Sequence, residues 1–118
     1  MDHKELDVWK KSIDLVEVIY KVSTKFPSSE MYGLTNQIRR ASVSVPSNIA
    51  EGAGRNSDKE LLYFLNVALG SLAEVETQIE IALRLGFISD GDTVFKNITE
   101  VRKLIIGFRN YLKKKTNH

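Results

Sequence analysis

The sequence predicts an all-α fold, an antiparallel four-helix bundle whose helices run up, down, up and down. Three observations carry this. Apolar residues recur at three- and four-residue steps in four separate stretches, and no stretch alternates at the period of two that marks a strand. Proline, glycine and capping residues fall between those stretches, leaving short loops that make successive helices neighbours. At 118 residues, 42% apolar and 27% charged, the chain is large enough for one continuous core, so residues 1–118 are read as a single domain.

The first helix is defined by Leu6, Trp9, Ile13, Val16 and Tyr20, and it ends before Phe26-Pro27 because proline cannot continue it. A second apolar set, Val8, Leu15, Val18, Ile19 and Val22, lies on another face of the same helix. One side of a helix cannot hold both sets, and water would leave a large apolar patch exposed. The second face is therefore expected to meet another copy of the chain, head to tail in a closed ring.

Ser28 or Ser29 is placed to cap the second helix, with Glu30 in its first turn, and the helix is expected to run to about Gly54. Pro46 lies inside it, removes one hydrogen bond and predicts a kink. Leu34, Ile38, Ala41, Val45 and Ile49 form its apolar stripe. Along the edge of that stripe runs an ordered row of hydrogen-bonding side chains: Gln37, Arg40, Ser44, Asn48, Glu51 and Arg55.

Ser57-Asp58-Lys59-Glu60 is a capping box and opens the third helix, whose stripe runs from Leu61 to Leu83 and stops at Gly86. Ser71, Glu74 and Gln78 flank that stripe and match the polar row of the second helix, with Arg40 and Glu74 as the expected ion pair. Two readings follow. The row is a buried network that fixes the register of two helices, in which case losing Arg40 would cost about 3 kcal/mol, or it is a groove for a ligand or partner. Asp90 or Asp92 caps the fourth helix, with Val94, Ile98, Val101, Ile105, Phe108 and Leu112 inward.

Chemistry is harder to find. The chain has no cysteine, which excludes disulfides, thiolate metal sites and cysteine nucleophiles. Its two histidines, His3 and His118, stand at opposite ends, so there is no metal-binding pair and no base for a serine nucleophile. Gly52-Ala53-Gly54 lacks the lysine of a phosphate loop and reads as helix termination. No enzyme, cofactor or metal is expected. The N-terminus continues into amphipathic sequence, and the longest apolar run, around Leu104-Ile105-Ile106, is far too short for a membrane span. A soluble cytoplasmic protein is expected.

Net charge is only +2, but its distribution is uneven. Residues 100–118 set Arg102, Lys103, Arg109, Lys113, Lys114 and Lys115 against Glu100 alone. Such cations suit the C-terminal end of a helix through its dipole. With Arg39 they also form a candidate surface for RNA or DNA, multiplied if the chain assembles into a ring.

Tyr32-Gly33-Leu34, Gln37-Ile38-Arg39-Arg40-Ala41, Ser44-Val45-Pro46-Ser47-Asn48-Ile49-Ala50-Glu51-Gly52 and Gly70-Ser71-Leu72-Ala73-Glu74-Val75-Glu76-Thr77-Gln78 carry a resemblance. Together they resemble the bacterial four-helix-bundle family encoded in intervening sequences of 23S ribosomal RNA genes. The likeness covers about residues 5–112. That family is in turn similar to the accessory variability protein of diversity-generating retroelements, a positively charged homopentamer that binds nucleic acid and a reverse transcriptase. The resemblance implies a bundle fold and a ring of five subunits. The expected function is a non-enzymatic accessory protein that binds RNA or DNA or associates with ribosomal RNA. The alternative is a scaffold that recruits a polymerase or ribosomal factor.

Overall fold

The computed structural model describes residues 1–116, so His118 lies outside the described residues. It contains four helices: α1 (Asp7–Ser23), α2 (Leu34–Ala53), α3 (Asp58–Arg84) and α4 (Asp92–Thr116). Short 3-10 turns, His3–Glu5 and Ser28–Glu30, precede α1 and α2, and the described residues contain no strand. Each helix packs on two others. α1 and α3 both lie against α2 and α4, and the diagonal pairs do not pack among the described residues. Partners across the seams run in opposite senses. Ser44 meets Ser71 while Gly52 meets Leu61, and Arg102 meets Glu76 while Lys115 meets Asp58. The assembly is a rod of 51 × 23 × 20 Å.

The stripes of α2, α3 and α4 face inward largely as their spacing predicts. Ile38, Val45, Ile49, Leu65, Leu72, Val75, Ile79, Ile98 and Ile105 are wholly buried. Leu34, Leu83 and Phe108 lie at the core's edge, partly buried.

The first helix corrects the expectation. Its buried stripe is Val8, Ser12, Leu15, Ile19 and Ser23, continued by Phe26. Leu15 and Ile19 are 0% exposed and Val8 5%, so these three belong to the core and cannot form a subunit interface. Val18 and Val22 are partly buried against the same core. Trp9, Ile13 and Val16, expected inward, are only half-buried, and Tyr20 is exposed. The reason lies in the two serines. Ser12 Oγ donates to the Trp9 carbonyl at 2.7 Å and Ser23 Oγ to the Tyr20 carbonyl at 3.1 Å. A small side chain whose hydroxyl is satisfied by its own helix can be buried without an unmet donor. A polar letter inside an apolar stripe thus conceals the stripe.

Helix ends follow local chemistry, with one departure. α2 begins after Gly33, and its first amide is capped by Glu30, whose Oε1 accepts from Leu34 N–H at 3.1 Å; neither Ser28 nor Ser29 is the cap. The helix runs without interruption through the buried Pro46. At α3, Ser57 Oγ accepts from Glu60 N–H at 3.2 Å. The C-terminus of α3 closes with Phe87 N–H on the Ala82 carbonyl and Gly86 N–H on the Leu83 carbonyl, and Gly86 takes φ +75°. This pair of hydrogen bonds requires a residue in the left-handed region, which glycine enters without a Cβ clash. Asp90 Oδ1 accepts from Asp92 N–H at 2.9 Å where α4 begins.

Gly52-Ala53-Gly54 closes α2 as expected, with Gly54 as the C-cap, and Gly52 in that last turn is buried: a Cβ there would lie 2.9 Å from both Leu61 Cδ1 and Phe64 Cβ. It is the close-approach point of α2 and α3.

Candidate binding groove between α2 and α3

Away from Gly52, the face shared by the two helices holds a groove of about 380 Å³. Asn36, Gln37, Arg40, Ala41 and Ser44 line it from α2, and Ser71, Glu74 and Gln78 from α3. The residues are set four or three apart on each helix, so they stack on one face. The antiparallel register places them as three rungs: Ser44 by Ser71, Arg40 by Glu74, Gln37 by Gln78.

The first rung is closed. The hydroxyls of Ser44 and Ser71 are 2.9 Å apart, and Asn48 Nδ2 donates to the Ser44 carbonyl at 2.8 Å and to Ser44 Oγ at 2.9 Å. This part of the polar row is a register-fixing network. The outer rungs are open. Arg40 and Glu74 are both exposed and form no ion pair with each other, which overturns the expected buried pair. Short serines let the helices meet, whereas the longer Arg40 and Glu74 side chains reach solvent, where pairing gains little. Gln78 Oε1 is buried and accepts no hydrogen bond from the protein. The last two members of the row, Glu51 and Arg55, pair with each other outside the groove, and that guanidinium lies 5.0 Å above the Phe64 ring. Asn36, which the spacing argument missed, joins the lining because it precedes Gln37 at the groove's open end.

A second groove, apolar and about 290 Å³, lies between α1 and α2. Trp9, Ile13 and Val16 face Val43, Pro46 and Ala50 across it. It is the half-buried stripe of α1, displaced from the core by the serine-bearing face.

The basic residues divide. Arg39 belongs to the α1/α2 seam: its Nε donates to Ser23 Oγ at 2.8 Å, and its guanidinium sits 4.8 Å over the Tyr20 ring. Its partners there are neutral, so its charge stays on this half-buried seam. Arg102 bonds Glu76 at 2.8 Å, and Lys115 lies 3.4 Å from Asp58. Arg109 is half-buried with an Nε that donates no hydrogen bond, while Lys103, Lys113 and Lys114 are exposed on α4. Acids of α3 thus offset part of the positive field. Among the described residues, no group of three or more His, Asp or Glu side chains could hold a metal ion. No helix there is long and apolar enough to cross a membrane.

These features define a class, a small all-helical bundle with open lateral grooves. The chain belongs to the 23S rRNA-intervening sequence protein family, whose model matches residues 4–107. It is also similar to a solved protein of unknown function from the S23 ribosomal protein family of Bacteroides thetaiotaomicron. The identity is 24%, the TM-score 0.81, and the match covers 93% of this chain and 99% of that one. No curated protein matches.

Proposed function

We propose that the chain is a non-enzymatic, RNA-associated accessory protein that acts in the cytoplasm as a homo-oligomer. The observation that carries this reading is the basic stretch of α4, Arg102, Lys103, Arg109 and Lys113 to Lys115, of which Arg102 and Lys115 lie against acids of α3. Family membership supports an RNA context. Contacts to phosphate from such residues are sequence-tolerant, and affinity falls steeply as salt displaces the protein from the backbone. Fluorescence anisotropy with a labelled single-stranded RNA, at low and moderate salt, tests it. Binding should weaken with salt and with Lys103→Glu or Lys114→Glu; no binding to RNA or DNA at low salt refutes it.

A second reading is favoured by the open apolar groove of Trp9, Ile13, Val16, Val43, Pro46 and Ala50. Such a surface suits a protein partner, a polymerase or ribosomal factor, or a second copy of the chain. A pull-down that survives nuclease and is lost with Ile13→Glu favours the scaffold. Size exclusion with light scattering measures assembly directly, five subunits being the number the resemblance implies. A particle of 13.4 kDa at micromolar concentration excludes an oligomer.

A further inference from the structure

The α2/α3 groove has a chemistry of its own. On the α3 wall, the exposed Glu74 carboxylate supplies two acceptor oxygens, with the Gln78 side chain one helical turn on. On the α2 wall, Arg40 and the amides of Asn36 and Gln37 supply donors. A ligand that satisfies both walls carries adjacent N–H donors on one edge and acceptors on another. Arg40 and Glu74 cancel in charge, and the carboxylate repels a phosphate, so the preferred ligand is uncharged where it enters.

We propose that this groove binds a guanine base presented by single-stranded RNA. Guanine carries adjacent N1–H and N2–H donors, which one carboxylate accepts together, and O6 and N7 acceptors, which suit a guanidinium. Adenine, cytosine and uracil do not offer two adjacent ring-edge donors of that kind. Bases splayed from single strands are recognised on these edges, and the groove has the size of small-ligand sites. The closed Ser44–Ser71 rung, 2.9 Å across, forms its inner end. The assignment rests on the RNA-associated reading for the source of the base, and the free nucleotide tests the groove apart from it.

The test has two arms. In the first, the full chain is titrated with guanosine, inosine, adenosine and uridine 5′-monophosphates while the side-chain amide signals are followed by NMR. Guanosine monophosphate should shift the Gln37 and Gln78 signals, and Glu74→Gln should weaken it about tenfold, as expected for one bidentate contact. Inosine, lacking the N2 amino group, should bind less well, and adenosine and uridine least. In the second arm, guanine-containing and guanine-free oligoribonucleotides are compared by anisotropy. Glu74→Gln should abolish the guanine preference and leave the salt-dependent affinity, whereas Lys114→Glu should do the reverse. Circular dichroism melts confirm that each variant folds. Equal response to all four nucleotides, or displacement by a millimolar zwitterionic amino acid without nucleotide preference, overturns the proposal. So does the absence of a guanosine shift together with equal affinity for both oligonucleotides. If guanosine shifts the groove but no RNA binds, the groove assignment stands and the RNA reading falls.

Discussion

Arg39 and Arg40 are neighbours on α2, yet they serve seams of opposite character. On the α1/α2 side, Arg39 is consumed by the fold: it bonds Ser23 and lies over Tyr20. On the α2/α3 side, Arg40 faces a groove and pairs with nothing across it. The first seam leaves an apolar trough open, and the second leaves polar groups open. Small residues produce the second pattern. Gly52 and the two serines bring α2 and α3 together at one end, and the longer Arg40 and Glu74 stay exposed at the other. A polar row beside an apolar stripe therefore combines a register lock and an accessible surface, divided by side-chain length.

The comparison can be broken first at its foundation. Leu15 is wholly buried, so Leu15→Ala should lower stability by about 2–5 kcal/mol in a urea melt. A variant that melts like the parent would return Leu15 to the surface and restore a subunit-facing α1. Next comes the close approach. Gly52→Val must displace Leu61 and Phe64 and should cost about 1–3 kcal/mol by thermal denaturation. No loss would mean that the α2/α3 seam is looser than its contacts imply.

Smaller effects sharpen the division within the polar row. Ser44→Ala removes a partner from both Ser71 and Asn48 and should cost about 1 kcal/mol. Arg40→Ala, one turn away, should change stability by less than about 0.5 kcal/mol, since it breaks no pair. Equal losses in these two variants, measured in the same melts, would make the whole row structural and remove the case for a binding groove.

Much of this architecture is readable from residue spacing, because periodic apolar residues, Ser57, Gly86 and the Asp90 turn act within a few residues of themselves. The site was partly readable for the same reason: the stacked positions 37, 40, 44 and 71, 74, 78 do share one groove. Which of its members would bond was not. The Ser44–Ser71 contact spans 27 residues and depends on how closely two backbones approach. Glu51 finds its partner, Arg55, on its own helix rather than across the seam. The contact of Arg39 with Ser23 was not readable either, because the hydroxyl is supplied by α1.

The sequence by itself determined four helices, their ends to within a few residues, the inward faces of α2, α3 and α4, and a family signature around Pro46. Only the tertiary structure decided which face of α1 is buried, which charges are neutralised and where the polar row opens. Helix formation and capping are governed by near neighbours along the chain. The rotation of one helix against another is settled by the sum of burial over all of them. In α1 that sum favours a stripe containing two self-satisfied serines over one containing tryptophan, a choice that no local pattern records.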